Sequence, residues 1–138
     1  MENIPCSKSY AQRYILTTLF SKSKAVLFGI DKDNISEDIK SSIRLLDAFD
    51  VFYGFRDDSL FIDATKVDIE KKMLEGLKFN CGESGTLIRL LIPILASYRG
   101  FFILDGDGSL KNRNLDSIKD TFVKLGISFT SDCGNVDI

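Results

Sequence analysis

Three short segments of the sequence place cationic side chains next to the small residues that let a backbone approach an anion. The first, Pro5 to Ser9, contains Lys8 and runs into a predicted helix that carries Arg13. Free N–H groups at a helix start, a hydroxyl and two cations on one side together form a binding site for phosphate or carboxylate. The alternative interpretation is a capping serine beside two solvated cations.

The second segment, Cys81 to Thr86, precedes Arg89 on another predicted helix. Gly82 and Gly85 allow the backbone to pass close to a ligand at the N-terminus of that helix. The glycine spacing is neither that of the dinucleotide-binding fingerprint nor that of the P-loop. A tight strand-to-helix turn is the alternative interpretation.

The third segment, Asp105 to Arg113, allows three interpretations. Together with Asp116 it supplies ligand types at calcium-hand spacing, but Leu110 stands where the hand needs glycine, and a predicted strand precedes the loop. Lys111 and Arg113 would repel a calcium ion and would instead hold an anion. The third interpretation is a solvated polar turn.

The composition is that of one globular domain, with 138 residues, 44% of them hydrophobic and 28% charged. Lys and Arg number 18 against 20 Asp and Glu, and the formal charge of −2 disfavours general binding of nucleic acid through phosphate contacts. The sequence contains no histidine, which removes imidazole as general base or metal ligand. Most zinc sites and Ser-His or Cys-His catalysis are thereby excluded.

The cysteines and the apolar runs indicate the cellular compartment of the protein. Cys6, Cys81 and Cys133 lie far apart in the sequence, which is typical of reduced thiols and not of a disulfide framework. The longest apolar run, Leu90 to Ala96, is far shorter than the ~20 residues of a membrane-spanning helix. The N-terminus has no targeting character, so we expect a cytoplasmic protein that binds neither a membrane nor nucleic acid.

Hydrophobic periodicity predicts alternating helices and strands. We expect helices over Ser7–Ser21, from the N-cap Ser36 through Phe49, over Ser84–Ser97 and over Leu115–Leu125, and strands over Ala25–Ile30, Val51–Tyr53, Leu60–Ile62, Phe101–Leu104, Ile127–Thr130 and Val136–Ile138.

The two halves of this pattern are related by a nearly constant offset. Leu46 and Phe49 recur 76 positions later as Phe122 and Leu125. We therefore predict one partial domain over residues 1–138, with a first unit over about 1–70 and a second over about 78–138. Such a repeat is expected to gather the cations of both halves around one concave edge.

Three motifs in this order resemble those at the N-terminus of the 5-enolpyruvylshikimate-3-phosphate synthase family, also called 3-phosphoshikimate 1-carboxyvinyltransferases. The motifs are PCSKSYAQR, CGESGTLIRLL and LDGDGSLKNRNLDSIKDTFVKLGI. Related transferases that act on UDP-N-acetylglucosamine have a Lys-Asn pair in the first motif, where this chain has Lys8-Ser9. The resemblance therefore favours the shikimate branch.

The resemblance implies an α/β (α+β) fold of repeated βαβαββ units, of which this chain contains two of the family's six. It implies transfer of the enolpyruvyl group of phosphoenolpyruvate to the 5-hydroxyl of shikimate 3-phosphate, without a metal or an organic cofactor. Family members are much longer, so we expect a fragment that is inactive alone and whose missing partner is the remainder of the enzyme. The residues that transfer protons would lie in that remainder, and no catalytic residue is expected in this chain.

The resemblance also implies roles for individual residues. Lys8 would contact both substrates, and Ser9 and Arg13 would hold the shikimate carboxylate. Gly85 would donate its backbone N–H to phosphoenolpyruvate, and Arg113 would bind the phosphate of that molecule. The pocket behind these groups would be shaped and charged by Glu83, Thr86 and Arg89.

Four positions depart from the family pattern. Cys6 replaces a glycine or alanine, Gly108 and Asn114 each replace a proline, and Glu83 replaces an asparagine. The carboxylate of Glu83 is expected either to pair with Arg89 or to turn away from the anion site.

A different class of function is a non-catalytic binding or scaffold module built from the same repeat, such as an RNA-binding relative of the initiation-factor fold. The acidic charge balance argues against RNA binding, as does the lack of a basic face with interleaved aromatic residues.

Overall fold

The computed structural model describes residues 7–112, 115–128, 130–132 and 135–137. The chain divides into two compact units, residues 1–69 and residues 70–138. Both units combine helices with a small β-sheet, which confirms the predicted mixed class of helices and strands. The number of repeated units stays a prediction.

The first unit consists of two helices and a three-stranded antiparallel sheet. The apolar stripes that predict the helices are buried, including Ile15 and Leu19 on one helix and Ile43 and Leu46 on the other. The elements in chain order are α1 (Lys8–Phe20), β1 (Lys24–Phe28), α2 (Glu37–Ala48), β2 (Phe52–Arg56) and β3 (Ser59–Asp63).

The strand β3 lies between β1 and β2 and is antiparallel to both. Along β3, Leu60 and Ile62 are buried whereas Phe61 points to the opposite side, as the two-residue period of a strand requires. The helices therefore cover one face of this sheet. On the open face, Lys24 Nζ lies 2.7 Å from Asp63 Oδ2, and hydrogen bonds from Lys24 and Thr65 lower the pKa of Asp63 to about 2.

The second unit contains a mixed four-stranded sheet with the order β4-β5-β7-β6, in which the first two strands are parallel and the other pairs antiparallel. Its elements are α3 (Ile69–Glu75, which begins at the unit boundary), β4 (Leu77–Asn80), α4 (Gly85–Leu95), β5 (Phe102–Asp105), a 3-10 helix (Gly108–Asn112), α5 (Asp116–Lys124), β6 (Thr130–Asp132) and β7 (Asn135–Asp137).

Two differences from the sequence predictions concern the second unit. The short elements α3, β4 and the 3-10 helix are not among the sequence predictions. The helical elements span two turns or fewer, and in β4 only Leu77 and Phe79 alternate with polar residues, which is a weak periodic signal. The strand predicted over Ile127–Thr130 is wrong at Ile127 and Ser128 and correct at Thr130, where β6 begins, while Phe129 lies outside the described residues. Gly126 adopts a φ of +76° at the end of α5, and Ile127 still donates its N–H to the carbonyl of Phe122 at 2.9 Å, so the helix-ending turn extends through Ile127.

Among the residues described, no helix has the length and apolar character needed to span a bilayer.

Leu60→Ala is expected to lower the free energy of unfolding by about 2–5 kcal/mol, because Leu60 is fully buried between the sheet and its helices. Val26→Ala on the open face of the same sheet is the control, since 48% of Val26 is exposed, and it should cost less than about 1 kcal/mol. Urea unfolding of both variants measures the difference. Equal costs would contradict the assignment of the covered face.

Candidate functional site

The first candidate segment opens α1, which begins at Lys8 after the N-cap residue Ser7. Arg13 lies one turn along the helix from Ser9, and its Nη1 donates to Ser9 Oγ at 3.3 Å. Lys8 and Arg13 are both exposed. The structure therefore brings the three predicted residues of the first motif together on the first two turns of one helix.

A carboxylate that the sequence analysis does not assign to the site lies beside Lys8. Asp38, in the first turn of α2, has its Oδ2 3.9 Å from Lys8 Nζ. The buried side chain of Gln12 donates to the backbone carbonyl of Asp38 at 3.1 Å, which joins α1 to the start of α2. Since 64% of the Lys8 side chain and 34% of the Asp38 side chain are exposed, water screens this ion pair.

The second and third segments meet because β4 and β5 are parallel neighbours. Their last paired residues are Asn80 and Asp105, so the loops that follow both strands leave the sheet at the same edge. The backbone continues the contact beyond the strands. Cys81 N donates to Asp105 O at 2.8 Å, and Asp107 N donates to Gly82 O at 2.8 Å. The first of these bonds ties loop 81–84 to the end of β5, and the second joins it to loop 106–109.

The helix α4 starts from the first of these loops. Ser84 is its N-cap, and the Ser84 side chain accepts the N–H of Leu87 at 3.3 Å. Helix geometry leaves the N–H groups of Gly85 and Thr86 without an intrahelical acceptor, at the positive end of the helix dipole. Arg89 is exposed one turn further along. This arrangement suits an anion at the start of α4.

The carboxylate of Glu83 lies against the second loop. Ser109 Oγ donates to Glu83 Oε2 at 3.4 Å. Gly108 has a φ of +50°, and a Cβ at this position would overlap the Glu83 carboxylate. The two departures at Glu83 and Gly108 are therefore physically linked, because the glycine leaves the space that the carboxylate occupies.

Two aspartates of the third segment, Asp105 and Asp107, accept hydrogen bonds from other groups of the protein. Asp105 Oδ1 accepts the N–H of Gly106 at 2.7 Å, and Asp107 Oδ2 accepts from Asn80 Nδ2 at 3.1 Å. Over the described parts of the chain, no cluster of three or more Cys, Asp or Glu side chains has the arrangement of a metal site.

Two predicted positions, Arg113 and Cys6, lie outside the described residues, as does Asn114. The convergence of the cations of the two halves stays a prediction.

Sequence reasoning missed Asp38 and Asn80. Asn80 has a local signal, since an asparagine two residues before Gly82 can accept the glycine N–H in an Asx turn, as it does here at 2.6 Å. Asp38 has no such signal, because its approach to Lys8 depends on the packing of α1 against α2.

The sequence matches the family model of EPSP synthase (3-phosphoshikimate 1-carboxyvinyltransferase) over residues 3–137. Relatives named 3-phosphoshikimate 1-carboxyvinyltransferase include one from Saccharolobus islandicus, 35% identical over 127 residues, and one from Clostridium botulinum, 29% identical over 136 residues. These alignments cover 92% and 98% of this chain. The fold is also similar to that of EPSP synthase from Acinetobacter baumannii, with a TM-score of 0.76 at 21% identity over 98% of this chain.

The chain spans only part of the length of these proteins. The alignments cover 28% of the Saccharolobus relative, 31% of the Clostridium relative and 31% of the Acinetobacter structure. The match nevertheless extends over almost the whole of this chain, and the chain belongs to the EPSP synthase family.

Proposed function

We propose that this chain is a substrate-binding part of a 3-phosphoshikimate 1-carboxyvinyltransferase. In that reaction the enolpyruvyl group of phosphoenolpyruvate moves to the 5-hydroxyl of shikimate 3-phosphate and phosphate is released. The observation that carries the proposal is the family match over residues 3–137, which includes all three candidate segments. The proposed pathway is the shikimate route to aromatic amino acids.

The first unit would bind shikimate 3-phosphate at the start of α1. Arg13 offers the planar fork of donors that suits a carboxylate, and Ser9, already in contact with Arg13, adds a hydroxyl. Lys8 is a flexible cation at the same helix start and would contact both substrates. Because Asp38 lies beside Lys8, substrate binding would have to compete with this carboxylate for the ammonium group.

The second unit would bind phosphoenolpyruvate at the start of α4. The N–H of Gly85 would donate to the ligand, and Arg113 would bind its phosphate. Thr86 and Arg89 would shape and charge the pocket behind these groups, together with Glu83, whose carboxylate accepts a hydrogen bond from Ser109. Two substrates with several negative charges repel each other, and fixed donors and cations reduce the cost of bringing them together.

We expect no turnover from the chain alone, because the resemblance assigns the proton-transferring acids to the remainder of the enzyme. Substrate binding is therefore the property to measure.

Arg13→Gln is expected to weaken binding of shikimate 3-phosphate by about 10- to 100-fold, the loss expected for charge-assisted hydrogen bonds. The control is Arg56→Gln, which removes an exposed arginine from the β2–β3 hairpin of the same unit and should leave affinity unchanged. The measurement is a two-dimensional amide NMR titration, with the first shifts expected over Lys8–Arg13. Failure of the parent chain to respond to either substrate, or equal losses in both variants, would contradict the proposed site.

Asp38→Asn is expected to strengthen the binding of shikimate 3-phosphate, whereas Arg13→Gln weakens it. The substitution removes the charge beside Lys8 but keeps the backbone carbonyl that Gln12 contacts, so α1 and α2 stay joined. Because the pair is partly exposed, the gain in affinity for shikimate 3-phosphate should be modest, up to about fivefold. Isothermal titration calorimetry measures it, and weaker binding would show that Asp38 assists the site instead of competing with it.

A further inference from the structure

The side chain of Asn80 makes two hydrogen bonds of opposite polarity at the end of β4. Its Oδ1 accepts the N–H of Gly82 at 2.6 Å, and its Nδ2 donates to Asp107 Oδ2 at 3.1 Å. A carboxylate cannot donate and an ammonium cannot accept, whereas the amide of Asn80 has both a donor and an acceptor and makes both bonds. One side chain thus contacts both of the loops that follow the parallel strands.

The two hydrogen bonds of Asn80 lie beside the backbone hydrogen bond between Asp107 and Gly82 that joins the loops. Gly82 adopts a φ of +62° and donates its N–H to Asn80 at this turn. The carbonyl of the same glycine accepts the N–H of Asp107 at 2.8 Å. Asn80 therefore contacts both residues of the backbone bond that joins the loops.

Both hydrogen-bond partners of Asn80, Gly82 and Asp107, lie next in the chain to segments of the candidate site. Gly82 is followed by Glu83, by the N-cap Ser84 and by the first turn of α4. The carbonyl of Asp107 accepts the N–H of Leu110 at 3.0 Å, which begins the 3-10 helix immediately before Arg113.

We propose that Asn80 is a positioning residue for the anion site at the start of α4, and that it acts by fixing the turn at Gly82 against the loop at Asp107. This inference rests on the proposed function, because it assumes that phosphoenolpyruvate binds at this edge of the sheet. Asn80 needs no contact with the ligand for this role. It sets the spacing between the N–H groups at the start of α4 and the loop at Asp107.

The donor and acceptor of the hydrogen bond between Asn80 and Asp107 can be exchanged by substitution, which tests the proposed role of Asn80. In Asn80→Asp, the new carboxylate can still accept from Gly82 but faces the carboxylate of Asp107 at the former hydrogen-bond distance. The repulsion should part the loops and weaken binding of phosphoenolpyruvate by about tenfold at pH 7.5. The double variant Asn80→Asp with Asp107→Asn exchanges donor and acceptor, and its affinity should return to near that of the parent chain.

The pH dependence of phosphoenolpyruvate binding by Asn80→Asp distinguishes a positioning role of Asn80 from a general loss of structure. Near pH 5, one of the two facing carboxyl groups in Asn80→Asp should take up a proton and restore a donor. The ratio of its affinity to that of the parent at the same pH should then approach one. The control variant Asn34→Asp adds the same charge in an exposed turn of the first unit and should bind like the parent at both pH values.

Amide NMR titration with phosphoenolpyruvate, followed at Gly85 and Thr86, gives the affinities. Amide hydrogen exchange at Gly82 and Asp107 is measured on the same samples without ligand, and we expect faster exchange in Asn80→Asp and recovery in the double variant. Parental affinity and exchange in Asn80→Asp, or no recovery in the double variant, would overturn the inference. If the parent chain ignores phosphoenolpyruvate, the proposed function fails at this edge, while the exchange rates still decide whether Asn80 fixes the two loops.

Discussion

The parallel pairing of β4 with β5 is the constraint on which the candidate site of the second unit depends. Parallel neighbours end at the same edge of a sheet, so two segments more than twenty residues apart in the sequence become adjacent loops. The backbone bonds from Cys81 to Asp105 and from Asp107 to Gly82 extend that pairing past the strands. The first turn of α4 is consequently anchored both to the sheet and to the neighbouring loop.

The first unit positions its cations through helix packing instead of strand pairing. The sheet is covered on one face by α1 and α2, and the contact between Gln12 and the carbonyl of Asp38 joins the start of one helix to the other. The same contact places a carboxylate next to Lys8. In both units the candidate anion-binding groups therefore lie at helix starts, and different contacts hold them in place.

Sequence reasoning located what is encoded locally. The apolar stripes of α1, α2, α4 and α5 have a clear helical period, and the motif residues from Lys8 to Arg13 and from Glu83 to Arg89 lie at helix starts as their spacing predicts. It could not locate β4, whose four residues gain their structure from pairing with β5. It missed Asp38 for the same reason, since the fold brings Lys8 near that carboxylate. Asn80 has a local partner in Gly82, but its second partner, Asp107, is also brought near only by the fold.

The loops after β4 and β5 form one hydrogen-bonded unit behind the start of α4. A long-range HNCO experiment on the uniformly labelled chain tests this arrangement most directly, because it detects scalar coupling across individual hydrogen bonds. We expect cross-peaks from the Asp107 N–H to the Gly82 carbonyl and from the Cys81 N–H to the Asp105 carbonyl. Absence of both, in a spectrum that shows the β4–β5 ladder bonds, would contradict this arrangement.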